Sequence, residues 1–113
     1  MQDCIFCKIA RKEIPSEKVY EDDHVYAFRD LHPQAPEHIL IIPRRHIPRV
    51  EDVTEEDREL LGRLVVAAKN IAKELGLKKG FRLVFNNGPD GGQEVEHIHL
   101  HLMGGRKFSW PAG

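Results

Sequence analysis

Three histidines within five positions, His97, His99 and His101, form the densest concentration of chemistry in this 113-residue chain, which holds seven histidines in all. They sit in His97-Ile98-His99-Leu100-His101-Leu102, where polar and apolar residues alternate with period two. In a strand that period sends successive side chains to opposite faces. Ile98, Leu100 and Leu102 are therefore predicted to enter a core. The three imidazoles, about 7 Å apart, are predicted to project together from the other face toward solvent. Neutral imidazole titrates near physiological pH, so such a row suits metal binding, proton transfer or nucleophilic attack.

Two chemistries compete for these residues. One is a catalytic zinc held by the histidines with an open position for water. In the other, one histidine is a nucleophile on phosphorus while its neighbours orient it and hold the phosphate. The preceding segment, Asn86-Asn87-Gly88-Pro89-Asp90-Gly91-Gly92, bears on the choice. Glycines let main chain approach an anion and amides supply donors, although the same residues also make a good hairpin connection. Loop and triple histidine together favour phosphate chemistry.

Cys4 and Cys7 are the only cysteines, spaced C-x-x-C. A disulfide scaffold would use more of them, whereas this spacing supplies half of a structural zinc site that histidines could complete. Two buried free thiols are a rival reading. A redox pair is disfavoured because no thioredoxin-like βαβ unit follows.

The elements that must position these groups are legible in outline. A helix is expected from Thr54 to Leu75, with Thr54 and Asp57 as a variant capping box and Gly76 as the stop. Its apolar stripe is Leu60, Leu61, Leu64, Val65, Ala68, Ile71, Ala72 and Leu75, which covers a sheet. Strands are expected at Val19–Glu21, Val25–Leu31, His38–Ile42, Phe81–Asn86 and His97–Met103, and a short helical turn at Cys7–Arg11. The connections are short and mostly lack helices, so antiparallel pairing and an α+β fold are favoured. His24, His32 and His38 read as ordinary histidines, exposed or hydrogen-bonded.

Composition sets the bounds. With 17 Lys plus Arg against 18 Asp plus Glu and 41% hydrophobic residues, residues 1–113 read as one globular domain. The near-neutral charge argues against a generic nucleic-acid binder. The longest apolar run, Leu64–Ala68, is far short of the ~20 residues of a membrane span. The start Met1-Gln2-Asp3-Cys4 lacks the charged and apolar regions of a secretory leader, so a cytoplasmic protein is expected.

The motif His97-Ile98-His99-Leu100-His101-Leu102-Met103 resembles the signature of the histidine triad (HIT) family, specifically its Hint branch of purine nucleoside phosphoramidases. The likeness extends through IARKEIP (9–15), DLHPQAP (30–36), IPRRHI (42–47), GPDGGQ (88–93) and the terminal Trp110-Pro111-Ala112-Gly113, and so spans nearly the whole chain. It implies a HIT-like α+β fold, with a five-stranded antiparallel sheet, one long helix and a short N-terminal helix. It also implies a homodimer in which the two sheets join.

The implied substrate is a purine nucleoside monophosphate, AMP or GMP, carrying an amine or other leaving group on its phosphate. His99 would be the nucleophile and would form a nucleotidyl-histidine intermediate. His101 would bond the phosphate or leaving group and manage a proton. Asn86, Gly92, Gln93 and the backbone at Glu94 would hold the phosphate, and Asp30 would clamp the ribose unless it merely caps its turn. Phe28 and Leu31 would line the base pocket. Trp110 would dock near the partner's site or on its own subunit. The resemblance completes a structural zinc site as Cys4, Cys7, His46 and His97, with no ion needed for the chemical step. Relatives carry serine where this chain has Glu94, whose carboxylate should turn away from a bound phosphate. The alternative function is a zinc-stabilised nucleotide-binding or interaction module with little catalytic role.

Overall fold

A computed structural model describes residues 3–113; Met1 and Gln2, which enter the leader reading above, lie outside the described residues. The order of elements is α1 (Ile5–Ala10), β1 (Lys18–Glu21), β2 (Val25–Arg29), β3 (Glu37–Pro43), α2 (Arg58–Glu74), β4 (Phe81–Phe85) and β5 (Leu100–Gly104), with 3-10 turns at Val50–Asp52 and Glu55–Asp57. The five strands form one antiparallel sheet in the order β1-β2-β3-β5-β4. The expected α+β architecture is therefore present.

Strand alternation sorts the sheet into two apolar layers. Val25, Ala27, Ile39, Ile41, Leu100 and Leu102 meet Leu64, Ala68, Ile71 and Ala72 of α2. The intervening residues Tyr26, Phe28, Leu40 and Ile42 meet Phe6, Ile9 and Ala10 of α1 on the opposite face. Nearly every residue of β2 and β3 is thus buried, on one face or the other in turn, which is why these strands read as continuous apolar runs.

The long helix begins one turn later than expected. Thr54 and Asp57 make the capping box, but around a 3-10 turn, and the α-helix proper starts at Arg58. Val65 is 44% exposed rather than core, and buried Ala67 takes its place in the stripe. The N-terminal helix begins at Ile5 because Cys4 caps it, its Sγ accepting the Cys7 amide at 3.4 Å.

The histidine segment departs from expectation in two respects. Strand β5 starts only at Leu100, so His97, in a bend, and His99 precede it. Nor do they face solvent: His97 is fully buried and His99 only 7% exposed. The period-two rule assigned the correct face, but α1 covers that face.

Candidate functional site

His99 is held from both sides. The Phe6 ring stands edge-on to it at a centroid distance of 5.1 Å, and its Nδ1 donates to the carbonyl of His97 at 2.7 Å. A carbonyl only accepts, so in the neutral ring this bond places the proton on Nδ1 and leaves the Nε2 lone pair free. Burial lowers the His99 pKa from its ordinary value, the opposing pull of the His97 carbonyl notwithstanding, and the neutral form is favoured. Nε2 has no protein partner among the described residues, and it is not a sealed atom. The arrangement presents an uncharged imidazole with an open Nε2 lone pair.

A second chain of bonds converges on His101. The Gln34 amide donates to His38 Nδ1 at 3.0 Å, which makes that nitrogen an acceptor and puts the proton of neutral His38 on Nε2. His38 Nε2 lies 2.9 Å from His101 Nδ1 and therefore donates to it. His101 must then carry its own proton on Nε2, the one buried side-chain polar atom among the described residues that lacks a partner. An unpaired buried donor is costly. Burial, together with His99 and His38, holds the His101 pKa at about 4. Its ring centroid is 5.0 Å from that of His99. Asp30 Oδ2 stands 3.5 Å from His38 Nε2 and biases the pair by charge.

His38 was expected to be an ordinary histidine. It is hydrogen-bonded, but as a member of the site, brought to His101 by the pairing of β3 with β5, in which Leu40 faces His101. Its position as a histidine two residues before Leu40, on the same face of β3, is the only sequence signal that could have marked it.

The loop before the histidines is braced from within. The amides of Gly92 and Gln93 bond the carbonyls of Pro89 and Gly88, and the Gln93 side chain bonds the Gly88 amide and the carbonyls of Pro48 and Val95. The side chain of Gln93 thus shapes the loop. Among the described residues the Glu94 amide makes no hydrogen bond, and the Glu94 carboxylate is exposed. Gly91 admits no side chain: a Cβ there would stand 2.4 Å from the Asn87 carbonyl oxygen. Asn86 is half-buried at the end of β4.

Of the other expected nucleotide contacts, Phe28 lies buried against Phe6, while Leu31 and Trp110 are 87% and 84% exposed. Asp30 performs the turn-capping role through Oδ1, which accepts the His32 amide at 2.8 Å, and keeps Oδ2 toward His38.

Cys4, Cys7, His46 and His97 come together although up to 93 residues separate them. Cys4 Sγ and Cys7 Sγ lie 3.3 and 3.6 Å from His97 Nδ1, Cys7 Sγ lies 3.5 Å from His46 Nδ1, and the two Nδ1 atoms are 3.2 Å apart. Zinc–nitrogen and zinc–sulfur bonds of about 2.1 and 2.3 Å would give a tetrahedron edges of roughly 3.4 to 3.8 Å. The four groups fit a metal of that kind. His97 Nε2 donates to the Pro43 carbonyl at 2.8 Å, the outer bond that orients a metal-binding imidazole. Asp30, His38 and His101 also cluster, but the 2.9 Å between the two imidazoles is a hydrogen bond, shorter than such a tetrahedral edge.

The HIT domain profile matches residues 11–108. The chain belongs to the HIT family. The HIT-like protein of Synechocystis is 54% identical over 112 residues, covering 99% of this chain and 98% of that one. The 14 kDa zinc-binding protein of Brassica juncea is 54% identical over 113 residues, covering 98% and 100%. A crystal structure of a HIT family hydrolase from Legionella pneumophila superposes with a TM-score of 0.97 at 54% identity, covering 98% of this chain and 100% of that one. The fold is thus that of HIT family hydrolases. Among the described residues, no helix of this HIT protein is long and apolar enough to cross a membrane.

Proposed function

We propose that the protein hydrolyses purine nucleoside phosphoramidates and related AMP- or GMP-derivatives through a covalent nucleotidyl-histidine. The observation that carries this reading is the proton placement at His99: with Nδ1 donating to the His97 carbonyl, Nε2 is a lone pair open to a phosphorus atom. Nε2 attacks phosphorus, and the bond from phosphorus to the leaving nitrogen breaks. A proton taken up by the His38–His101 pair as the anionic substrate binds moves from His101 Nε2 to that nitrogen, so an amine departs and the pair returns to its neutral form. Water then attacks the nucleotidyl-histidine, gives a proton back to the histidine pair and releases the nucleoside monophosphate. Splitting the displacement this way replaces one hard step with two easier ones.

The Glu94 amide and the Asn86 side chain are assigned to the non-bridging oxygens, which carry the charge of the transition state. Asp30 Oδ2 is assigned to the ribose hydroxyls, and Leu31 with Phe28 to the base. Trp110 is assigned to a nucleotide pocket across a homodimer. Dimerisation would use the free edge of β4 about Leu83, which is 36% exposed; sedimentation velocity on Leu83→Glu should then show monomer. A cytoplasmic site of action belongs to the same reading. Zinc at Cys4, Cys7, His46 and His97 supplies structural cross-linking, supported by the fit of the four groups and by the name of the Brassica relative.

His99→Ala should abolish hydrolysis of an adenosine phosphoramidate while AMP still binds. Undiminished turnover by that variant would refute the assignment.

A further inference from the structure

On the far side of the sheet edge from the cysteines, the turn after α2 and the segment after β5 enclose a groove of about 960 Å³. Its lining carries five cations, Lys78, Lys79, Arg82, Arg106 and Lys107, and no carboxylate. In a chain of net charge −1 this is a marked local excess. None of the five is in an ion pair among the described residues. All seven other arginines are paired: Arg11, Arg29, Arg44, Arg45, Arg49, Arg58 and Arg63.

The two arginines are also held in place. The guanidinium of Arg82 lies over the Phe108 ring at 4.8 Å and that of Arg106 at 4.2 Å. Each is further fixed to main chain, Arg82 to the Ser109 carbonyl, and Arg106 through Nε and Nη2 to the Gln34 carbonyl and through Nη1 to that of Lys107, so that one hydrogen on each Nη of Arg106 stays open. Rigid, unpaired guanidinium groups are suited to phosphate oxygens, because their donors are ordered before the ligand arrives. The flanking lysines add strongly hydrated point charge on flexible stems. A concave site of this size matches a small ligand.

We propose that this groove is a second anion site that binds a short oligophosphate chain, either free or carried by a nucleotide. It is separate from the histidine centre, to which it connects through Gln34, whose carbonyl takes Arg106 and whose amide supplies His38.

Titration calorimetry of the full-length protein with sodium tripolyphosphate, at physiological salt, with and without saturating AMP, tests this. The expected result is saturable binding, one per chain, that persists when AMP is present. In Lys78→Glu/Lys107→Glu it should weaken at least tenfold while circular dichroism and phosphoramidate hydrolysis hold. The milder Lys78→Gln/Lys107→Gln pair serves if charge reversal disturbs folding. No saturable binding, binding abolished by AMP, or binding unchanged in both variants would overturn the site. Single-stranded RNA displacing tripolyphosphate at lower concentration would overturn the assignment to a short chain. A nucleoside polyphosphate binding more tightly than tripolyphosphate, with AMP still bound, would identify the carried form.

Discussion

The carbonyl oxygen of His97 lies 2.7 Å from Nδ1 of His99, so one residue is placed to serve two centres. Its ring faces the cysteine cluster through Nδ1, and its main chain fixes the proton of the His99 ring. Order in the first centre is thereby transmitted to the second through a single peptide unit.

Metal removal should act through the fold. We expect one zinc per chain by native mass spectrometry. Its loss in Cys4→Ala should lower the melting temperature by about 5 °C or more. Burial pushes the Cys7 thiol pKa up, with Cys4 adding to the effect, so binding must release protons and should weaken in acid. Chelation should reduce turnover gradually, in step with loss of structure; prompt loss with the fold intact would point to a catalytic metal.

His38 is expected to be a positioning residue. His38→Ala leaves His101 without the donor that keeps its proton on Nε2, so kcat should fall by roughly 10²-fold with KM little changed. His38→Gln, whose amide can still donate, should recover part of the loss. Equal loss in both variants, with normal melting temperatures, would contradict the relay.

The pH dependence follows from His101. Its folded pKa, about 4, is below the ordinary 6.5, so the unfolded chain binds more protons between those values. The stability it contributes is present above pH 6.5 and is lost as pH falls toward 4. The acid limb of kcat/KM should correspondingly lie below pH 6. A limb at 6.5 that survives in His38→Gln would show that His101 titrates as a free imidazole.

Much of this site was legible in the sequence and part was not, for identifiable reasons. Alternation from Ile98 to Leu102 assigned the helix face correctly because the period-two rule is local. Burial of His97 and His99 was not visible, because it depends on Phe6 packing from a segment some ninety residues away. His38 was missed for the same reason, since its role exists only once β3 pairs with β5. In the loop, glycine content marked a close backbone approach, but not that Gln93 would be consumed in bracing it.

Gly91 offers a direct probe of that loop. A methyl group there would collide with the backbone of Asn87, so Gly91→Ala must displace the turn that carries the Glu94 amide. AMP affinity should drop about tenfold, the equivalent of one lost charge-assisted hydrogen bond. Calorimetry giving wild-type affinity would remove the loop from phosphate binding.

The decisive measurement is acid-quenched peptide mapping of the wild-type protein caught during turnover of an adenosine phosphoramidate. The account predicts one adenylyl group, on His99 alone. Turnover with no covalently bound nucleotide, or an adduct on any other residue, would contradict it.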